Sequence, residues 1–191
     1  MTIKPINNGW IEVICGNMFS GKTEELLRRL RRAKIAKLST IVFKPEIDKR
    51  YSENKIVSHI DNTMKSLSVK NSSEILKKSK DYNVVGIDEA QFFDDKLINI
   101  CKELAKNNTR VIVAGLDTDY KGKPFGPMQG IMCESDYLDK LRAICVKCGN
   151  PASYTQRITK QTEQVVIGET NIYEARCRHC YMIPKERIWI D

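Results

Sequence analysis

Eight residues, "GNMFSGKT" from Gly16 to Thr23, keep the spacing G-x-x-x-x-G-K-[ST] between an apolar run, "WIEVIC", and an amphipathic stretch, "EELLRRLRRAKIAK". Glycine at both ends of such a turn lets the backbone curl until several N–H groups face one phosphate. The start of the following helix adds partial positive charge. Gly16, Asn17, Met18, Phe19, Ser20 and Gly21 therefore form a candidate cradle for a nucleoside triphosphate. Lys22 is placed to reach the β/γ oxygens and the Thr23 hydroxyl to ligate Mg²⁺. A phosphate loop of this kind needs an acid on a neighbouring strand, and "NVVGID" ends in Asp88. Successive strand residues face opposite sides, so Glu89 is expected to point away from Asp88 and to serve as a general base.

Seven cysteines, an odd number, argue against a full set of internal disulfides. Cys15, Cys101 and Cys133 lie among apolar neighbours and read as small buried thiols. The other four form "CVKC" (Cys145, Cys148) and "CRHC" (Cys177, Cys180), two C-x-x-C pairs separated by 28 residues. Such pairs can surround a tetrahedral Zn²⁺ and staple a polar segment too small to build its own core. A redox-active dithiol is the competing reading. His179 lies inside the second pair, but four thiolates already suffice; it and His59 read as structural or exposed.

The elements that must position these groups follow a strand–helix alternation up to about residue 142. The Val- and Ile-rich runs 10–15, 39–44, 83–88 and 110–116 suit buried parallel strands. Leu26, Leu27, Leu30 and Ala33 mark one helix face, opposite the basic run Arg28–Arg32. A further helix with Leu97, Ile100, Cys101 and Leu104 inward is expected to begin near Asp94, a plausible cap. The pattern predicts a mostly parallel sheet with helices on both faces. Beyond residue 143 the texture turns polar and turn-rich, with short β-like runs "VVIG" and "IYEAR" bracketed by the Cys pairs. The predicted division is thus 1–142 for the α/β domain and 143–191 for a small metal-binding unit.

Lys and Arg outnumber acids 32 to 24 in 191 residues, a net +8 that favours anionic partners. The opening "MTIKPINNG" lacks the apolar core of a signal peptide, and no apolar run spans a bilayer. The expected setting is cytoplasmic and reducing.

Together, "GNMFSGKT", "DEAQFF" (88–93), "KPFG" (123–126) and the two Cys pairs resemble the cellular-type (type II) thymidine kinases over nearly the whole chain. The resemblance implies an α/β fold: a RecA-like P-loop domain with a mostly parallel sheet, plus a small zinc-binding β domain whose lasso loop covers the nucleoside. It implies a homotetramer, ATP with Mg²⁺, a structural Zn²⁺, thymidine and also deoxyuridine as substrates, and feedback inhibition by thymidine triphosphate (dTTP). By the same matching, ATP contacts fall on 16–23, on Asp48, Lys49 and Arg50 of "DKRYS", and on Asp88, Glu89, Ala90 and Gln91. Glu89 matches the base that deprotonates the 5′-hydroxyl. Thr23 and Asp88 match the Mg²⁺ site. Met18, Phe92, Leu116, Tyr120 and Phe125 match the thymidine pocket. Thr155, Gln164, Val165, Val166, Ile167, Gly168 and Tyr173 match lasso positions beside the base. The chain departs from the family pattern at Asn17, where Pro is expected, at Thr23, where Ser is common, and at Tyr120, where Phe is common in some members. Thr23 keeps the metal-binding hydroxyl and Tyr120 keeps an aromatic wall.

The alternative reading is an ATP-driven nucleic-acid-binding protein with a zinc ribbon, its basic helix face on the nucleic acid. It accounts for the charge and the Cys pairs but not for "DEAQFF" and "KPFG" at these spacings. Nucleic acid and membrane are therefore not expected partners.

Overall fold

Each of the four Val- and Ile-rich runs forms a strand of one parallel sheet in the computed structural model, which describes residues 9–47, 55–57, 63–161, 163–164 and 171–182. In chain order β1 (Trp10–Gly16), α1 (Lys22–Ile35) and β2 (Thr40–Pro45) come first. A hairpin of β3 (Lys55–Val57) and β4 (Thr63–Lys65) precedes β5 (Leu67–Val69) and α2 (Ser72–Lys78). Then follow β6 (Val84–Ile87), α3 (Lys96–Lys106), β7 (Arg110–Gly115), α4 (Met128–Cys133) and β8 (Tyr137–Leu141). The six-stranded sheet runs β5-β2-β6-β7-β1-β8, every pairing in it parallel. The edge strands β5 and β8 add to the strands expected from the sequence.

Strand alternation sorts the core into two layers. Val13, Cys15, Phe43, Val85, Ile87 and Val113 meet Ile75, Leu97, Ile100, Cys101, Leu104, Met128 and Ile131 from α2, α3 and α4. On the other face Ile14, Val42, Val84, Ile112 and Ala114 meet Leu26, Leu27, Leu30 and Ala33 of α1. The apolar faces read from both helices are therefore the buried ones. Parallel pairing puts the last residues of β1, β6 and β7 at one edge, where ligands of open α/β sheets bind.

One expectation needs correction. Cys15 and Cys101 are buried, and burial pushes their thiols up to about 11 and about 12, but Cys133 is exposed at the end of α4. Asp94 receives the Lys96 N–H at 3.1 Å, yet it also accepts Ser72 N–H (3.1 Å) and Ser72 Oγ–H (2.7 Å), so it ties the starts of two helices together. Two of the four arginines of the basic helix face are paired with carboxylates. Arg29, its side chain 12% exposed, pairs with Glu12 and Glu25 at 2.8 Å each and also with Asp139, while Arg28 pairs with Glu25. Arg31 and Arg32 remain exposed.

Glu12 is the polar residue on the α1 side of β1, and it survives there because Trp10 Nε1–H (2.6 Å), Arg110 (2.6 Å) and Arg29 all donate to it. Burial pushes its carboxyl up, but the hydrogen bonds from Arg110, Trp10 and Arg29 outweigh that and hold it below its usual 4.5. Glu25 is held down at about 2, chiefly by the hydrogen bond from Arg28 and, against a smaller effect of burial, by Arg29. A depressed carboxylate stabilises the fold above its unfolded pKa, and that stabilisation fades as pH falls through the folded value. Glu12→Gln is accordingly expected to lower Tm at pH 7 by about 5 °C. The gap to wild type should close below about pH 4.5, as the wild-type carboxylate protonates. Thermal melts of both proteins from pH 7 to 3 check this; a pH-independent gap contradicts it.

After β8 come β9 (Ala143–Ile144) and β10 (Pro151–Ala152), then β11 (Tyr154–Arg157) and β12 (Tyr173–Arg176), each pair antiparallel. The "IYEAR" run forms β12; "VVIG" lies outside the described residues. Among the described residues no helix is long and apolar enough to cross a membrane.

Candidate active site

At the end of β1 the chain turns in a conformation that requires glycine. Gly16 has φ +139°, and a Cβ there would lie 2.4 Å from the Leu141 carbonyl oxygen. Gly21, φ +82°, sits at the start of α1 and its carbonyl accepts the Glu25 N–H at 3.0 Å. Between them the loop leans on the small C-terminal unit. Asn17, fully buried, donates its amide to Tyr154 O (3.3 Å), Met18 N–H donates to Thr155 Oγ1 (3.0 Å), and Phe19 packs on the cluster of Ala143, Cys145, Ala152, Ala175 and Cys177. The buried amide of Asn17 thus supplies a contact that a proline there could not make. Ser20 Oγ–H (2.8 Å) and Lys22 Nζ (2.6 Å) both donate to the Asn17 carbonyl, which holds the lysine over the loop.

Thr23 Oγ1 lies 3.2 Å from Asp88 Oδ2 and 3.4 Å from Oδ1. Hydroxyl and carboxylate therefore meet, as expected, but by a different route from that read in the sequence. The strand of Asp88, β6, is not adjacent to β1, because β7 lies between them. Two strand spacings are about 10 Å, and the start of α1, which packs across β7 and β6, closes that gap. Both groups are oxygen donors of the kind Mg²⁺ takes.

Glu89 leaves the strand rather than continuing it. Its φ of +51° places it in the left-handed region, its N–H donates to Asp88 Oδ1 at 3.0 Å, and a 3₁₀ turn, Ala90–Phe92, follows. The separation of the two carboxylates is set by this turn and not by strand alternation. A non-glycine residue at positive φ is a strained placement that surrounding contacts must hold. Gln91, 2% exposed, supplies them: its Nε2 donates to Glu89 Oε2 at 2.5 Å and its Oε1 accepts the Leu116 N–H at 2.9 Å. Its side chain therefore orients Glu89. Gln91→Leu, close in volume, breaks both bonds and leaves the Leu116 N–H without its acceptor. The expected cost is about 1–3 kcal/mol of stability, with turnover reduced about 10-fold. Thermal melts and steady-state kcat check this, and wild-type values in both would refute it.

The "KPFG" turn closes on the same residues. Phe125 N–H donates to Asp117 O (3.2 Å), and Gly126 has φ +52° with room for no Cβ, which would sit 2.2 Å from Gln91 O. Phe92 and Phe125 meet edge to face at 5.6 Å, while Phe93 faces the core. Tyr120 is buried, its carbonyl accepting Tyr181 Oη–H at 2.7 Å. Thr155 spends its hydroxyl as the acceptor for Met18 N–H, and the Tyr173 hydroxyl accepts from Arg157 at 2.6 Å. Gln164 Nε2 donates to Asp119 Oδ2 at 3.1 Å. Asp48, Lys49, Arg50 and His59, together with Val165, Val166, Ile167 and Gly168, lie outside the described residues. Asp119 and Arg157 carried no signal in the sequence, being single polar residues in unremarkable positions.

The four Sγ atoms of Cys145, Cys148, Cys177 and Cys180 all lie within 4.8 Å of one another. A tetrahedral zinc with Zn–S about 2.3 Å sets sulfurs about 3.8 Å apart, and Cys148 Sγ is 3.6 Å from Cys177 Sγ. Burial pushes the Cys145 thiol up, but backbone N–H groups draw it down, as they do Cys177, whereas hydrogen bonds with Cys148 and Cys177 push Cys180 up to about 12, so the four thiols share their protons as one group. The donor set fits zinc. His179 is exposed.

A sequence model of the thymidine kinase family matches residues 9–181. The chain is 53% identical over 177 residues to a thymidine kinase of Rhodothermus sp. (strain ITI 518), covering 93% of this chain and 83% of that one. It is 55% identical over 174 residues to a thymidine kinase of Bacteroides thetaiotaomicron, covering 91% and 87%. A thymidine kinase of Bacteroides fragilis is 55% identical over 173 residues, again covering 91% and 87%.

Proposed function

Because the chain belongs to the thymidine kinase family, we propose that it transfers the γ-phosphate of ATP to the 5′-hydroxyl of thymidine, and also of deoxyuridine, in pyrimidine salvage. The observation that supports this most is the meeting of three groups at one sheet edge. Lys22 lies over a glycine-bounded loop, Thr23 Oγ1 is 3.2 Å from Asp88, and Glu89 is fixed beside them by Gln91 at 2.5 Å. Phosphoryl transfer asks for position and charge neutralisation, with one modest base. Loop amides and Lys22 receive the phosphates, Glu89 takes the hydroxyl proton, and Phe92, Phe125, Leu116, Met18 and Tyr120 wall the nucleoside. Mg²⁺ arriving with ATP would be held by Thr23 and Asp88 and would neutralise charge on the transferring group.

The same reading takes the division at 142/143, a structural zinc on the four cysteines, Asp48–Arg50 beside the phosphates, and 164–168 beside the base. It extends to a cytoplasmic homotetramer inhibited by dTTP. The test is a kinase assay across a panel of nucleosides with ATP and Mg²⁺. Phosphate transfer to thymidine and deoxyuridine is expected. Transfer to no pyrimidine nucleoside, with ATP hydrolysis stimulated by DNA, would replace this reading with the nucleic-acid one.

A further inference from the structure

Arg157 is a buried cation, 6% exposed, that meets no carboxylate among the described residues. A guanidinium removed from water is costly unless its donors are used, and here nearly all are. Nη1 donates to Gln161 O at 3.1 Å and to Glu163 O; Nη2 donates to Gln164 O at 3.2 Å and to Tyr173 Oη at 2.6 Å. Its Cζ lies 3.7 Å from the Tyr120 ring centroid and 5.2 Å from that of Tyr173. Gln164 makes a second tie to the same turn through Asp119, whose other oxygen accepts Lys121 N–H (2.8 Å) and Lys123 N–H (2.9 Å).

We propose that Arg157 is a positioning residue for nucleoside capture, pinning the carbonyls of Gln161, Glu163 and Gln164 against the Tyr120 and Tyr173 rings. For the identity of its ligand the inference rests on the nucleoside-kinase reading above; for the rest it rests on geometry. Tyr120 and Tyr173, whose rings the guanidinium faces, are among the groups read as lining the nucleoside, and such groups bind only as well as they are fixed. One planar fork holds three main-chain acceptors and faces two aromatic rings at once. Lysine, with a single point charge on a flexible stem, cannot do the same.

Arg157→Lys and Arg157→Met, made in the full chain, provide the test, with zinc content, both KM values, and ligand-free hydrogen exchange of peptides covering 158–164 as readouts. Both variants are expected to keep one zinc per chain and an ATP KM within about twofold, while KM for thymidine rises on the order of 30-fold, as loss of several bonds from a charged donor implies. Exchange at 158–164 should accelerate without any ligand. Unchanged thymidine KM overturns the proposal. So does an equal rise in both KM values with zinc lost, which a merely structural role would produce. Should the wild-type protein phosphorylate no nucleoside, the function reading fails on its own. The exchange data then still decide whether Arg157 holds the segment, and wild-type exchange rates in both variants overturn it.

Discussion

Glu89→Gln is expected to lower kcat by about 10²- to 10⁴-fold, the usual worth of a positioned general base, while ATP affinity stays within about twofold. The substitution is nearly isosteric, so the left-handed turn at φ +51° and the 3₁₀ turn after it have no reason to move. The hydrogen bonds of residue 89 to Asp88 and Gln91 are also retained in kind. Its N–H still donates to Asp88, and Gln91, held by the Leu116 N–H at 2.9 Å, can still donate to a side-chain oxygen at position 89. What disappears is the ability to accept a proton from the 5′-hydroxyl. The phosphate loop and Thr23–Asp88 are untouched, which is why binding and turnover should separate. Equilibrium titration with ATP and steady-state kinetics measure the two independently. Turnover above about one third of wild type would remove Glu89 as the base, because a lost general base cannot cost so little.

The second large effect concerns a group some distance from the chemistry. Cys177→Ser, or removal of zinc by a strong chelator, is expected to weaken ATP binding as well as to unfold the C-terminal unit, with activity falling by more than about 100-fold. Among the described residues the core of that unit is Ala143, Cys145, Ala152, Ala175 and Cys177, of which two are themselves thiol donors. These few small side chains cannot offset the entropy of ordering the segment, whereas a metal on the four cysteines would. The phosphate loop then loses its support, since Met18 N–H is held by Thr155 Oγ1, the Asn17 amide by Tyr154 O, and Phe19 by the same small core. Zinc content, ATP titration and hydrogen exchange over 143–161 and 10–23 follow the three parts of this chain of events. Protein without zinc that binds ATP as tightly as the wild type would break the link between the two units.

The residues themselves determined the strands at 10–15, 39–44, 83–88 and 110–116, the buried faces of α1 and α3, the glycine-bounded loop and the cysteine quartet. All of these are written in short-range spacing: a period of two or of 3.6, or a motif whose members are neighbours in sequence. Edge strand β8, "YLDKL", escaped notice because its side chains are mostly exposed and so carry no apolar period. Cys133 misled for the opposite reason: apolar neighbours do not say which side of a short helix a residue occupies.

Only the tertiary structure decided which strands are neighbours, and with it the insertion of β7 between the strand of the phosphate loop and the strand of Asp88. It alone brought Gln91 to Leu116 and Gly126, and Arg157 to Tyr120, pairs far apart along the chain. Periodicity records which face of an element is buried but not what covers it. Contacts between distant residues are selected by how whole elements pack, so a lone glutamine or arginine acquires its role only once the sheet order is fixed.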